Sequence, residues 1–220
     1  MRALDLFCCA GGATRGLQQA GFHVTGVDVK PQPRYCGDAF HQADALTFPL
    51  EGYDFIWASP PCQAHTSMKT MHNAKAHLDL IPATRDRLKE SGIPYVIENV
   101  VGAPIDGFTL CGTMFGLGVD DAELRRHRLF EASFPILAPR CNHKSGETIG
   151  VYGGHVRNRR RRPGSASRGV ADFSIKQGQA AMKIDWMTLM ELSQAIPPAY
   201  AEFIGRAALS YIASKNREAA

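Results

Sequence analysis

Ala3-Leu4-Asp5-Leu6-Phe7-Cys8, running on into Ala10-Gly11-Gly12-Ala13-Thr14-Arg15-Gly16, is the stretch on which the fold turns. A short apolar run of this kind reads as a buried strand, and the glycines after it open a tight turn into a helical stretch reaching about Ala20. Strand, glycine turn and helix N-terminus together form the usual cradle for a nucleotide-like ligand in a doubly wound α/β sheet. A second run, Phe22-His23-Val24-Thr25-Gly26-Val27-Asp28, ends in a carboxylate about twenty residues after the glycines, where such folds hold a ribose hydroxyl pair. An acid that merely caps a loop is the alternative reading of Asp28.

Further along, Tyr53-Asp54-Phe55-Ile56-Trp57 is another buried-strand run, and it ends in Ala58-Ser59-Pro60-Pro61-Cys62-Gln63. The strand throws a rigid loop into solvent, with Cys62 at its tip and two prolines fixing the backbone just before the thiol. Most free cysteines are small buried hydrophobes, so Cys62 acquires meaning only from its company. Pro82 to Lys89 has helical character, and Ile93-Pro94-Tyr95-Val96-Ile97-Glu98-Asn99-Val100 is the next strand. Near its end Glu98 is costly to bury without a partner or a task. Gly112-Thr113-Met114-Phe115-Gly116 leads to Leu124-Arg125-Arg126-His127-Arg128-Leu129-Phe130, where Arg126 and Arg128 at alternate strand positions would share a face. A short helix from Asp185 to Leu192 carries Thr188 and Glu191 in capping-box spacing, and Gln194-Ala195-Ile196-Pro197-Pro198 breaks it. Tyr200, Phe203/Ile204, Ala207/Ala208 and Tyr211/Ile212 then recur with helical period.

Composition sets the outer limits. With 220 residues, 45% of them hydrophobic, the chain fits one domain with a sizeable core, and a monomer is expected. The sequence holds no apolar run of membrane-spanning length, no signal-peptide pattern and no internal repeat, so no membrane partner and a cytoplasmic location are expected. Six cysteines in a chain of this length read as reduced thiols rather than a disulfide framework. The net charge of +4 conceals an asymmetry: Arg140 to Lys183 carries ten Lys/Arg against two Asp/Glu, a net of +8, leaving −4 for the rest. Arg157, Arg159, Arg160, Arg161 and Arg162 are more than solubility needs, and phosphate is their natural partner. Cys141, His143 and His155 could ligate zinc but lack a fourth partner and good spacing. His41, His65, His72 and His77 show no ligand spacing either, and no metal is expected.

Five stretches, in order, resemble the motifs of the DNA (cytosine-5) methyltransferases: Asp5-Leu6-Phe7 with Gly11-Gly12, Pro60-Pro61-Cys62-Gln63, Glu98-Asn99-Val100, Arg126-His127-Arg128, and Gln194-Ala195-Ile196-Pro197-Pro198. Gln42-Ala43-Asp44-Ala45 is a shorter match to a further motif. Four positions depart from the family pattern: Cys9 stands where Gly is usual, Leu124 where Gln is usual, and Ser193-Gln194 where Gly-Asn is usual.

The resemblance implies a class I S-adenosylmethionine-dependent methyltransferase fold, a mostly parallel seven-stranded sheet with a small basic insertion. It divides the chain into a catalytic and cofactor-binding core over 1–135, a target-recognition segment over 136–184 and C-terminal helices over 185–220. It assigns catalysis to Cys62, Glu98, Arg126 and Arg128, with Arg128 on the cytosine carbonyl and Arg126 on a phosphate or the catalytic loop. S-adenosylmethionine would be held by Phe7, Gly11, Gly12, Asp28, Asp44, Pro61, Gln194 and Ala195. Nucleic acid, taken as double-stranded DNA, would be contacted by Gln63 and the five arginines. An RNA (cytosine-5) methyltransferase and a non-catalytic nucleic-acid binder on the same scaffold are the alternatives.

Overall fold

In the computed structural model, residues 1–63, 65, 78–144, 146–152 and 173–218 are described, together with the backbone of 170–171. The five arginines of the basic cluster, His72, His77 and His155 lie outside the described residues.

The first apolar run forms β1 (Arg2–Leu6), and the glycine turn delivers the chain into α1 (Gly12–Ala20). Strands β2 (His23–Asp28), β3 (Ala39–Gln42), β4 (Phe55–Ala58) and β5 (Tyr95–Asn99) follow, with α2 (Ile81–Ser91) between the last two. Downstream come β6 (Phe108–Leu110), a 3-10 turn over Gly112–Phe115, β7 (Gly118–Val119), β8 (Ala122–Leu124) and β9 (Arg128–Ala132). The remainder holds β10 (Thr148–Ile149), β11 (Val170–Ala171), α3 (Ile175–Met182), α4 (Leu189–Gln194) and α5 (Pro198–Glu218).

Seven strands form one sheet in the order β3-β2-β1-β4-β5-β9-β6. The first five are parallel, and β9 runs antiparallel between β5 and β6. Strand alternation sends residues to opposite faces, and both faces are covered. Ala3, Phe55, Trp57 and Val96 join one core with Leu17 of α1 and Tyr200, Ile204 and Ala208 of α5. Leu4, Leu6, Ile56, Ala58, Tyr95 and Ile97 join the other with Ile81 and Leu88 of α2. Helices α1 and α5 approach closely because glycine lines their contact: a Cβ on Gly16 would run into the Pro198 carbonyl.

The stretch Leu124 to Phe130 is not one strand. Beyond Leu124 the chain leaves a second, four-stranded sheet (β11-β10-β8-β7), crosses Arg125 to His127 as irregular backbone, and enters the main sheet at Arg128. Arg126 and Arg128 therefore do not share a strand face, and the alternation expected from spacing fails where the chain changes sheets. Ile149, Val151, Phe173, Ala181 and Met182, all within 136–184, are buried in the same core as α1 and α5.

Candidate active site

The site gathers at the carboxyl ends of the parallel strands, where open α/β sheets place their ligands. Beyond β4, the Ser59 amide donates to the Leu6 carbonyl and so extends the sheet one residue into the loop. The Asn99 side-chain amide donates to the Pro60 carbonyl at 2.9 Å, and the Trp57 indole N–H donates to the Ser59 hydroxyl at 2.9 Å. With both prolines fixed in φ, these bonds hold the approach to Cys62 from two sides. Cys62 is half-buried rather than fully exposed, while Pro61 and Gln63 are exposed.

Glu98, on β5, is 5% exposed and pairs with Arg128 at the start of β9, Oε1 to Nε at 3.1 Å. Burial raises the Glu98 pKa, opposed by Arg128, by a hydrogen bond with Ser59 and by Arg126. A carboxyl held this way keeps its proton to higher pH and can present it to a ring nitrogen. Cys62 belongs to the same electrostatic group. Burial raises its pKa, Arg128 and Arg126 pull it down, and Glu98 pushes it further up. Arg128 favours the thiolate, but desolvation outweighs it, so the thiol lies above its ordinary range.

Arg126 occupies a different place from the one expected. It is 3% exposed, and its guanidinium donates to the Val151 carbonyl and, at 2.9 Å, to the Ser193 carbonyl. The Tyr200 hydroxyl donates to its backbone carbonyl at 2.6 Å. Burial, with Arg128 nearby, pushes its pKa down to about 9. Here Arg126 fastens three separate parts of the chain together and is not available on the surface for a phosphate.

On the cofactor side, Phe7 and Cys9 both adopt left-handed backbone, with φ of 61° and 46°. Such conformations are uncommon outside glycine and concentrate at functional turns. Cys9 therefore carries a Cβ at a position whose backbone suits the glycine usual in the resembled motif. Asp28 accepts the Cys9 amide on Oδ2 at 3.0 Å and the Lys30 amide on Oδ1 at 2.9 Å, which fixes its carboxylate while leaving lone pairs on both oxygens. Asp44, exposed beyond β3, accepts the Leu46 amide on Oδ1 at 2.9 Å. Gly11 has φ of 86°, and a Cβ on Gly12 would lie 2.5 Å from the Ile196 carbonyl and 3.2 Å from the Ala195 Cβ. Ala195 is buried against this turn, whereas Gln194, the last residue of α4, is exposed. These residues fit an adenosyl ligand: a carboxylate pre-set for hydroxyls, a second carboxylate one strand away and a half-buried aromatic ring.

Two residues of this region escaped the sequence reading. Trp186 donates its indole N–H to the Ala10 carbonyl at 2.9 Å and lies under the Arg15 guanidinium. Tyr35 fills the space above Gly26, where a Cβ would be 2.4 Å from its ring. Its hydroxyl lies 3.2 Å from that of Thr14, which is 2.5 Å from Asp5 Oδ2. No short motif encodes contacts between residues so distant in sequence.

The strand order, with its single antiparallel strand next to the end, decides the fold. It is a class I methyltransferase fold. The S. pombe Dnmt2 methyltransferase shares it at a TM-score of 0.59 and 12% identity, over 96% of this chain and 99% of that one. A partial match, TM-score 0.43 and 19% identity, covers 59% of this chain and is described as a putative DNA modification methyltransferase encoded within an E. coli prophage. This chain spans less than half of that protein, 45% of its length. No protein-family model and no curated protein matches the chain. Among the described residues no helix is long and apolar enough to cross a membrane.

Proposed function

We propose that this chain transfers a methyl group from S-adenosylmethionine to carbon 5 of cytosine in DNA. The observation that carries the reading is the meeting of three groups from three strands: Cys62 on a proline-fixed loop after β4, Glu98 on β5, and Arg128 at the start of β9 in an ion pair with Glu98. Cytosine C5 is a poor nucleophile until a thiolate adds at C6, and that addition needs an electron-poor ring.

In this reading Phe7, Asp28 and Asp44 hold the adenosyl part of the cofactor, and Gly11 and Gly12 shape the turn beside it. S-adenosylmethionine supplies the methyl group on a sulfonium. The target cytosine leaves the duplex stack, at a cost of a few kcal/mol met by contacts to the strand. Glu98 presents its proton at N3 and Arg128 its guanidinium at the carbonyl oxygen, so electron density is drawn from the ring. Cys62 loses its proton to solvent, and its sulfur bonds to C6 as the C5–C6 double bond opens and its electrons move to C5. Carbon 5 then takes the methyl group, and the cofactor product is S-adenosylhomocysteine. Removal of the C5 hydrogen by a base breaks the S–C6 bond and restores both the ring and the thiolate. The basic segment around Arg157 to Arg162 is assigned to phosphate contacts, with Gln63 on the strand near the target.

The test is incubation with methyl-labelled S-adenosylmethionine and either duplex DNA or transfer RNA at one salt concentration, followed by nucleoside analysis. Labelled 5-methylcytosine in DNA is the expected product. Label in RNA alone would move the substrate to RNA and leave the chemistry intact. No labelled 5-methylcytosine in either would refute the reading.

A further inference from the structure

At the root of the basic segment, four side chains from three parts of the chain converge. Cys111 follows β6, His127 lies in the crossover between β8 and β9, and Cys141 and His143 sit just before β10. Their ligand atoms, two sulfurs and two imidazole nitrogens, all lie within 4.8 Å of one another. Cys141 Sγ is 2.8 Å from His143 Nε2 and 3.6 Å from His127 Nε2, and Cys111 Sγ is 3.3 Å from His143 Nε2. A tetrahedral zinc site with bonds of roughly 2.3 Å to sulfur and 2.0–2.1 Å to nitrogen has edges of about 3.3–3.8 Å, so the cluster is close to the size required.

We propose that Cys111, His127, Cys141 and His143 bind one zinc ion as a closed structural site. This revises the expectation of no metal. Among the described residues the partners of Cys141 and His143 are Cys111 and His127, remote in sequence.

Surrounding contacts support a built site. The Thr113 hydroxyl lies 3.2 Å from the Cys111 sulfur and 3.8 Å from that of Cys141, placed to orient both thiolates. The His127 ring makes a further hydrogen bond to the Arg125 backbone. Residue 144 is pinned beside the ligands: its amide donates to Glu123 Oε1 at 3.0 Å, and its carbonyl accepts from Arg125, which pairs with Glu123 at 2.8 Å. The two sulfurs and two imidazole nitrogens lie at hydrogen-bond distance from one another, and a divalent cation would give all four one shared partner.

The ion has a structural task. It ties the strand entering the basic segment to the main sheet beside Arg128, whose guanidinium donates to the His127 carbonyl at 3.1 Å. Zinc occupancy therefore fixes the backbone from which Arg128 reaches Glu98. Nothing in the metal site depends on the chemistry at Cys62, and its test reads the metal alone.

Protein purified with zinc in the medium is assayed for metal content by elemental mass spectrometry, and chelated protein is reloaded with cobalt(II). The expected results are about one zinc per chain and the visible absorption of tetrahedral cobalt with thiolate charge-transfer bands. Cys141→Ser and His143→Ala, both at exposed positions, abolish the stoichiometric metal while far-ultraviolet circular dichroism shows the fold retained. Thr113→Val weakens zinc binding by roughly 10–100-fold. Cys36→Ala keeps the metal. Substoichiometric zinc together with no tetrahedral cobalt spectrum would overturn the proposal. So would metal content that survives in Cys141→Ser and His143→Ala, or a Cys111–Cys141 disulfide that persists in protein kept reduced and supplied with zinc.

Discussion

Asp5 gives a prediction with a definite sign and size. It lies near the carboxyl end of β1, 1% exposed, with Oδ1 lacking a hydrogen-bond partner among the described residues. Burial raises its pKa from 3.8 to about 7, opposed by the hydrogen bond from Thr14. A carboxyl group whose pKa is higher in the folded than in the unfolded state holds its proton in the folded protein while the unfolded chain ionises. Its contribution is fully present below the unfolded value and is lost as pH rises, with the loss complete above the folded value. Three pKa units at about 1.4 kcal/mol each make roughly 4 kcal/mol, lost between about pH 4 and pH 7. Asp5→Asn removes the titration and keeps an acceptor for Thr14, at some constant cost from a buried amide. Urea unfolding of both proteins at unit steps between about pH 4 and 8 gives the two stability curves. The wild type is expected to lose roughly 4 kcal/mol relative to Asp5→Asn across the window, with the difference level above about pH 7. Curves that run parallel would refute the reasoning, whatever their offset.

Other parts of the site carry predictions of their own. Cys9→Gly removes a side chain from a backbone with φ of 46° and is expected to leave stability unchanged or raise it by up to about 1 kcal/mol, while Cys9→Val lowers it, both read from chemical unfolding. Gly12→Ala drives a Cβ to 2.5 Å from the Ile196 carbonyl and is expected to cost about 1–3 kcal/mol in the same assay. Arg128→Met removes the charge that most opposes the rise in the Cys62 pKa, so alkylation of Cys62, followed by peptide mass spectrometry, shifts to higher pH. An unchanged profile would separate Arg128 from the thiol.

Much of the fold was legible because its signals are local. The apolar runs of β1, β2, β4 and β5 alternate faces in short stretches, and the Gly11-Gly12 turn and Asp28 mark the first two strands by type and spacing. The Thr188–Glu191 capping box was equally readable, although the helix begins at Leu189 rather than Asp185. Beyond β6 the strands of the second sheet have two or three residues each, too few to show any period. That is why the change of sheet at Arg125 to His127 stayed hidden and Arg126 looked like a neighbour of Arg128 on one face. Cys62, Glu98 and Arg128 could be named from motifs, yet the balance of burial against charge that sets their titration exists only in three dimensions. Tyr35, Trp186 and the Cys111–His127–Cys141–His143 cluster have the same origin: each is made by contacts across long stretches of chain.

The proposed reaction requires a covalent bond between Cys62 and C6 of the target cytosine. It is tested by incubating the protein with S-adenosylmethionine and DNA carrying 5-fluorocytosine, in which C5 bears no hydrogen to remove and the adduct cannot resolve. The expected result is a denaturation-resistant protein–DNA species, dependent on the cofactor, attached at Cys62 by peptide mass spectrometry and absent from Cys62→Ala. Methylation of ordinary cytosine by Cys62→Ala, or an adduct mapped to another cysteine, would contradict it.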